Sequence, residues 1–207
     1  MSELKVSVIM ASYLGYYENC ASNREFKFKR AVESFLKQTY DNIELIIISD
    51  GCNLTENIYN ELYIDKDNIF FFKIDKCELF SGSPRNKGIE LSNGDYICYL
   101  DSDDFLSSTH IDIMLNKLNS FDWAYFNDSV VYEYLSYDNY KSYNRRNILS
   151  LNRVGTSSII HKKNDIQWSN GYGHDWKFIQ QLRDKFPKYK KIKGGYNICH
   201  IPNEIDV

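Results

Sequence analysis

Four short, largely apolar runs in the first half of the chain constrain its fold most strongly. Each run has five to seven residues, the usual length of a buried strand, and segments with helical spacing separate them. This strand–helix alternation predicts a doubly wound α/β fold with a parallel sheet. The predicted strands cover residues 5–11, 43–49, 69–74 and 96–100, and the predicted helices cover 24–38, 55–63 and 83–92.

The third of these helices has recognisable ends. Ser83 suits the N-cap position, and Pro84 suits the first helical position because no backbone N–H is needed there. Asn93 and Gly94 provide the stop. We therefore expect the helix to begin at Ser83 and to lead directly into the fourth strand.

The second half of the chain is less regular, and its elements are expected to be shorter. Helices are predicted over 109–119 and 174–186, and strands over 123–134 (one or two) and 154–161, while residues 189–200 form a basic stretch that closes on YNICHI. The sequence has no internal repeat and no flexible linker. We therefore expect a single mixed-sheet domain over residues 1–207, with a front half at 1–105 and a back half at 106–207.

Composition and charge exclude several classes of protein. The 207-residue chain is 43% hydrophobic and 26% charged with a net charge of −3, so neither disorder nor nucleic-acid binding is expected. No apolar run approaches the ~18 residues of a membrane span, and the first residues lack the pattern of a signal peptide. The five cysteines are widely spaced without a CxxC pair, which favours reduced thiols and a cytoplasmic location.

Acidic residues follow two of the predicted strands. Asp50 ends the second strand, while Asp101 and Asp103, with Asp104 beside them, follow the fourth. Ligands of open α/β sheets bind at the carboxyl ends of the strands, and closely spaced carboxylates suit Mg²⁺ or Mn²⁺ shared with substrate phosphates. The alternative is an Asp-rich turn that caps the helix over 109–119.

Two known kinds of acidic motif can be compared with this cluster. An EF-hand loop beginning at Asp101 would need Gly at its sixth position and Glu at its twelfth, but Leu106 and Asp112 stand there. A haloacid-dehalogenase-like phosphohydrolase also carries two aspartates after an apolar strand. Its motif usually lies on the first strand with Thr or Val two residues later, whereas Phe105 stands at that position here. The phosphohydrolase therefore remains only an alternative.

Several segments taken together resemble a known family of enzymes. They are VSVIMASY (6–13), RAVESFLKQTY (30–40), IELIIISDG (43–51) and SPRNKGIELSNGDYICYLDSDDF (83–105), roughly half of the chain. In order and spacing they are similar to the N-terminal half of the family 2 inverting glycosyltransferases, which have the GT-A fold. The resemblance implies a nucleotide-diphospho-sugar donor, with a UDP-sugar expected first, and a divalent cation, Mn²⁺ or Mg²⁺. It also implies an acceptor hydroxyl on a saccharide or glycolipid, and thus polysaccharide or glycoconjugate synthesis.

The resemblance assigns the end of the first strand to the nucleoside. Ala11, Ser12 and Tyr13 would lie against the nucleobase and the ribose. Asp50 would accept a hydrogen bond from a ring N–H of the base, a role that suits a carboxylate. The front half, 1–105, would thus bind the nucleotide-sugar, and the back half, 106–207, would bind the acceptor and carry the catalytic group.

Further donor-side roles follow from the same resemblance. Arg85 and Asn86 would lie near the donor, although they could equally stabilise the loop where the helix begins. Asp101, with its neighbour Ser102, would face the ribose or the sugar. Asp103 would bind the metal that bridges the two phosphates, where a cation offsets the charge developing on the departing nucleoside diphosphate.

The back half has to supply a general base, because the attacking hydroxyl must lose its proton. The resemblance implies that Asp175, which follows a glycine-rich turn, is this catalytic base; helix capping is the alternative. His174 replaces the acid that the family usually has there. His200 is placed like the C-terminal His that several GT-A enzymes use as a further metal ligand, and a structural histidine is its alternative.

Two segments leave alternatives open. The loop 14–23 either closes over the donor through Tyr16 or Tyr17 or forms an exposed insertion. The basic run 183–193 either is a solvated surface or makes peripheral contact with an anionic membrane or acceptor. A non-catalytic nucleotide-sugar-binding module is the other alternative to an active transferase.

Overall fold

The computed structural model of the chain describes residues 4–18, 20–77, 81–118 and 120–200. Its helices are α1 (Arg24–Leu36), α2 (Asn53–Leu62), α3 (Gly82–Leu91), α4 (His110–Leu118) and α5 (His174–Lys185). Its strands are β1 (Val6–Ser12), β2 (Ile43–Asp50), β3 (Ile69–Ile74), β4 (Tyr96–Tyr99), β5 (Phe105–Leu106), β6 (Trp123–Phe126), β7 (Asp128–Ser136), β8 (Asn139–Arg145), β9 (Ile159–Lys162), β10 (Tyr189–Ile192) and β11 (Tyr196–Ile198). Two short 3₁₀ turns lie at Leu149–Leu151 and Thr156–Ser158.

The strands form two sheets. The larger sheet has seven strands in the order β10-β6-β9-β4-β1-β2-β3. Its four adjacent strands β4, β1, β2 and β3 are parallel to one another, and β9 is antiparallel to both β4 and β6. The smaller has the order β5-β11-β7-β8. The predicted α/β fold with a mostly parallel mixed sheet and flanking helices is confirmed, and the second sheet is an addition to the single mixed sheet that was predicted.

Hydrophobic residues pack on both faces of the large sheet. Along β1, Val8 and Met10 belong to the core on one face, whereas Ile9 belongs to the core on the other, because successive side chains of a strand point in opposite directions. Strand β2 is buried at every position, as expected for a central strand of a parallel sheet covered on both sides. The carboxyl ends of these strands are thereby held at one rigid edge.

Helix α3 packs against β1 through a glycine. A Cβ atom added at Gly88 would collide with Cγ2 of Ile9. Overpacking costs about 1–3 kcal/mol, and the ~1 kcal/mol that alanine contributes to helix propensity offsets part of it. We expect Gly88→Ala to lower the free energy of unfolding by a net amount of about 1–2 kcal/mol, which thermal unfolding would show as a Tm lowered by roughly 2–8 °C.

A matched control is available for this substitution. A Cβ at Gly155 would have no atom nearer than 3.6 Å, so Gly155→Ala is expected to leave the Tm close to that of the wild type. A Gly88→Ala protein as stable as the wild type would contradict close packing between α3 and β1.

Two predicted elements differ from the structure. Helix α3 begins at Gly82 rather than after Ser83, because the backbone N–H and the hydroxyl of Ser83 face Asn170 instead of capping the helix. The strand predicted over 154–161 is only partly present: Thr156–Ser158 form a 3₁₀ turn, and β9 begins at Ile159. The hydroxyls of that turn bond to carboxylates, which explains the departure from extended backbone.

Candidate active site

A cleft of about 860 Å³ opens at the carboxyl ends of β1, β2 and β4 and at the first turn of α5. This is the edge at which ligands of open α/β sheets bind. Its described lining combines four aspartates, three cationic side chains and several aromatic rings. The lining residues are Ala11, Tyr13, Tyr16, Tyr17, Arg24, Asp50, Lys76, Cys77, Ser81, Arg85, Asp101, Ser102, Asp103, Thr156, His174 and Asp175.

Most of the predicted site residues meet in this cleft. Three others do not line it, namely Ser12, Asn86 and His200. Ser12 is buried, and its hydroxyl lies 3.2 Å from that of Thr55. The roles proposed for individual residues toward the donor and the acceptor stay predictions. The structure adds what each side chain contacts.

Asp50 lies at the end of β2 and is held by the segment that follows β3. Its Oδ2 accepts from Nζ of Lys76 at 2.6 Å, and its Oδ1 accepts from the backbone N–H of Cys77 at 2.6 Å. Gly51, with φ of +68°, permits this approach, since a Cβ there would lie 2.8 Å from the backbone N of Lys76. The Lys76 ammonium also lies 4.4 Å from the centroid of the Tyr13 ring.

The loop after β1 is tied to α1 by Arg24. The guanidinium of Arg24 donates to the carbonyls of Tyr13 and Gly15 and lies 4.7 Å from the centroid of the Tyr17 ring. Tyr16 and Tyr17 both line the cleft, and the Tyr16 side chain is 87% exposed. Asn19, in the same predicted loop, lies outside the described residues.

The three acidic side chains that follow β4 point to three different partners. Asp101 pairs through Oδ1 with Arg85 at 2.9 Å. Asp103 pairs through Oδ2 with Nδ1 of His200 at 2.5 Å. Asp104 is buried and accepts from the Tyr196 hydroxyl at 2.8 Å and from a backbone N–H at 2.7 Å. Asp104 therefore fixes the adjoining chain instead of adding a third carboxylate to the cleft.

The pKa values of this acidic segment follow from those contacts. Burial raises the pKa of Asp104 well above its usual value, and the neighbouring charges of Asp103 and Asp101 raise it further. At Asp103 burial is the largest single influence and acts in the same direction, but the hydrogen bond and charge of His200, with smaller contributions from a backbone hydrogen bond and Lys27, together outweigh it and lower the pKa. The same hydrogen bond raises the pKa of His200. The pair is thus stabilised as a carboxylate beside an imidazolium when no cation is bound.

Asp175 lies in the first turn of α5, after a turn that two glycines allow. Gly171 and Gly173 have φ values of +89° and +75°, which L side chains rarely adopt. The Asp175 Oδ1 atom accepts from the Thr156 hydroxyl and lies 3.2 Å from Nε2 of His174. Burial lowers the pKa of His174, although the Asp175 charge opposes this, so the imidazole is neutral at pH 7.

The side chain of Asn86 binds the backbone of the segment that leads to Asp175. Its Nδ2 donates to the Trp168 carbonyl at 2.9 Å, and its Oδ1 accepts from the Trp168 backbone N–H at 2.7 Å. The adjacent Arg85 guanidinium lies 5.3 Å from the Trp168 ring. Asn86 therefore holds the backbone at Trp168 and is not among the residues that line the cleft, and its role toward the donor stays a prediction.

Several cleft residues were missed by the sequence analysis. Lys76 and Cys77 follow the end of β3, so the strand-end rule could have indicated them. Arg24 and Thr156 had no such signal, because Arg24 reads as one polar position on a helix and Thr156 fell within a predicted strand. Their place in the cleft depends on tertiary contacts alone.

The model of the family described as "Glycosyl transferase family 2" matches residues 20–190. The chain belongs to glycosyl transferase family 2. The resemblance to the family 2 glycosyltransferases is thereby confirmed as membership of the family, which disfavours the phosphohydrolase alternative. Within the part of the chain that the structure describes, no helix has both the length and the apolar character needed to cross a membrane.

Relatives of this chain include bacterial proteins that are named as glycosyltransferases. GlyG of Streptococcus pneumoniae is 26% identical over 98% of this chain and 61% of its own length. A UDP-Glc:α-D-GlcNAc-diphosphoundecaprenol β-1,3-glucosyltransferase, WfaP of Escherichia coli, is 36% identical over 51% of this chain and 38% of its own length. The chain thus spans less than two thirds of the length of these curated relatives.

Solved structures confirm the GT-A fold. Residues 1–349 of Staphylococcus aureus TarS, in complex with UDP-GlcNAc, superpose with a TM-score of 0.75 at 17% identity. The superposition covers 98% of this chain and 60% of TarS 1–349. At this level of identity the likeness establishes the fold.

Proposed function

We propose that this chain is the catalytic domain of a divalent-cation-dependent inverting glycosyltransferase that moves a sugar from a UDP-sugar to a hydroxyl of a saccharide or glycolipid. One observation carries the proposal. A single cleft brings Asp50 and Asp103 at strand ends together with Asp175 in the first turn of α5. The cleft thereby combines groups that can bind the nucleotide and the diphosphate of a donor with a carboxylate that can act as a general base.

The nucleoside end of the donor is supported by the surroundings of Asp50. A carboxylate there can accept from a ring N–H of uracil while the Tyr13 ring offers a stacking surface. Lys76, Arg24 and Arg85 add positive charge to the same cleft, which favours an anionic diphosphate ligand. A UDP-sugar is the proposed donor because WfaP is named for UDP-Glc and TarS was solved with UDP-GlcNAc.

Asp103 and His200 are the residues proposed to hold a divalent cation, since oxygen and imidazole donors suit Mn²⁺. Their carboxylate oxygen and imidazole nitrogen share a hydrogen bond of 2.5 Å, which would open and release its proton when both atoms bind the ion. The described residues contain no group of three side chains arranged to hold a metal, so most ligands would come from the diphosphate and water, as Mg²⁺ and Mn²⁺ sites at phosphates often do. A bound cation would supply positive charge to the leaving nucleoside diphosphate.

Asp175 is the proposed base. Its carboxylate takes the proton of the acceptor hydroxyl while that oxygen forms a bond to the anomeric carbon and the bond from this carbon to the UDP oxygen breaks. A single displacement of this kind inverts the anomeric centre. WfaP is named for a lipid-linked acceptor, which supports a saccharide or glycolipid acceptor here.

A cytoplasmic location, with peripheral membrane contact as an option for residues 183–193, also belongs to this proposal. The wide spacing of the five cysteines, with no CxxC pair, supports a reducing compartment. Within the basic run, Lys185 pairs with Asp165 and Lys191 donates to the Asn147 carbonyl. These contacts support the solvated-surface interpretation of much of that run.

A thermal-shift screen with UDP-Glc, UDP-GlcNAc and GDP-mannose, with and without Mn²⁺, tests the proposal. We expect a UDP-sugar to raise the Tm most in Mn²⁺, since ligand at 100 times its Kd adds about 2.7 kcal/mol to the free energy of unfolding. Asp103→Asn is expected to lose the Mn²⁺-dependent part of the shift.

Equal shifts with and without Mn²⁺ would show that the proposed metal dependence is wrong. Binding without UDP release on any saccharide acceptor would favour the non-catalytic module. Release of inorganic phosphate from the donor would return the phosphohydrolase to consideration.

A further inference from the structure

Two neighbouring hydroxyls in the turn Thr156–Ser158 reach two different carboxylates of the cleft. The Thr156 hydroxyl donates to Oδ1 of Asp175, and the Ser157 hydroxyl donates to Oδ2 of Asp101 at 2.6 Å. A 3₁₀ turn has three residues per turn, so successive side chains diverge by about 120°. This geometry explains how adjacent residues contact groups on α5 and after β4.

The third hydroxyl of the turn anchors it to the second sheet. The Ser158 hydroxyl donates to Asp128, the first residue of β7, whose side chain is fully buried. Asp128 also accepts from Arg145 at 2.6 Å and from Nδ2 of Asn147 at 3.0 Å. Because one oxygen of Asp128 is held by these two donors, the position of the turn is determined by the β7–β8 hairpin.

All three residues of the turn are buried, with exposed fractions of 6%, 5% and 2% along the chain. Hydrogen bonds from hydroxyls to carboxylates are stronger than bonds between neutral groups, and burial limits competition from water. Such bonds can fix the orientation of a carboxylate that is itself partly exposed. The side chains of Asp175 and Asp101 are each 37% exposed and border the cleft.

We propose that Thr156 and Ser157 are positioning residues with separate tasks, an inference that rests on the proposed function. Thr156 orients the carboxylate of Asp175, and Ser157 orients that of Asp101 on the donor side. Since Thr156 and His174 both contact Oδ1 of Asp175, Oδ2 is the oxygen assigned to the acceptor proton. The turn thus couples the donor side and the base side through one anchored segment.

Kinetic and binding measurements on two variants separate these tasks. Thr156→Val keeps the shape of the side chain but removes the donor, and we expect kcat for UDP release from UDP-GlcNAc or UDP-Glc to fall roughly 10- to 100-fold. Its Kd for UDP should stay within about twofold of the wild type. Ser157→Ala is expected to raise the Kd for UDP by roughly 5- to 50-fold with a smaller effect on kcat. Thr156→Ser, which keeps the hydroxyl, should restore most of the rate.

The inference is overturned if Thr156→Val turns over like the wild type, or if both variants change the same parameter alike. Asp175→Asn keeps this outcome distinct from failure of the proposed function. Full transfer by Asp175→Asn would refute the base itself. An inactive Asp175→Asn beside a fully active Thr156→Val would refute only the positioning by Thr156.

Discussion

Replacing Asp175 with Asn is expected to reduce sugar transfer by about 10²- to 10⁴-fold while the affinity for UDP stays near that of the wild type. The amide is almost the same size but cannot accept the proton of the acceptor hydroxyl at neutral pH, and general-base catalysis is worth about this factor. The measurement is UDP release in the presence of acceptor, together with UDP binding by calorimetry. A loss confined to kcat would indicate that the group acts in the chemical step.

The same helix provides a matched control. Asp184 also lies on α5, is 70% exposed and pairs only with its neighbour Arg183 among its ionic contacts in the described chain. Asp184→Asn makes the same chemical change outside the cleft and is expected to transfer sugar at the wild-type rate. Transfer by Asp175→Asn at that rate would show that the base is a different group.

The free energy of unfolding is expected to fall steeply as the pH drops below about 6.5, because two histidines are buried in their neutral form. Burial lowers the pKa of His110 to about 3. Burial also lowers the pKa of His161 to about 4, although its bond to the Lys162 carbonyl opposes this shift. His161 accepts from the Tyr99 hydroxyl at 2.8 Å, and His110 accepts from the Gly195 backbone N–H at 2.9 Å. Each of these hydrogen bonds needs an unprotonated ring nitrogen, so each stabilises the neutral imidazole.

The sign follows from proton binding. The unfolded chain binds a proton at each histidine below about pH 6.5, whereas the folded protein does so only near the lowered pKa. The contribution of these two histidines to the free energy of unfolding is therefore complete above pH 6.5. It is lost as the pH falls below that value, by about 1.4 kcal/mol per pH unit for each ring. At pH 4.5 the two rings together would cost about 5 kcal/mol, which is comparable to the whole stability of many domains.

Denaturant unfolding between pH 7 and pH 4.5 measures this loss. Other groups titrate in that range, and Asp104, with its raised pKa, acts in the opposite direction. The comparison is therefore between the wild type and His161→Asn, whose side chain stays neutral. The variant should show a slope smaller by about 1.4 kcal/mol per pH unit. Equal slopes in both proteins would contradict the buried neutral imidazole.

Much of the fold could be predicted because its signals are local. Strand β3 was predicted with its observed ends, and β1, β2 and β4 to within a residue or so, since an apolar run of this length is characteristic of a buried parallel strand. Strand β8 was missed. Its sequence, NYKSYNR, is polar and its residues are mostly exposed, so no hydrophobic alternation marks it.

The candidate site could be predicted in part for the same reason. Asp50, Asp101 and Asp103 follow predicted strands, and parallel strands place their carboxyl ends at one edge of the sheet. The family resemblance contributed Asp175 and His200. The sequence did not predict which group each carboxylate contacts, because Asp101, Asp103 and Asp104 are neighbours in sequence and yet contact three different parts of the fold.

The sequence by itself determined strands β1 to β4, and therefore that Asp50, Asp101 and Asp103 follow strands at the cleft edge, because an apolar run is a property of a few consecutive residues. Only the tertiary structure decided what each of those side chains contacts. The Ser157–Asp101 and Asp103–His200 contacts join residues 56 and 97 positions apart. Their partners are selected by the packing of whole elements, which no local pattern encodes.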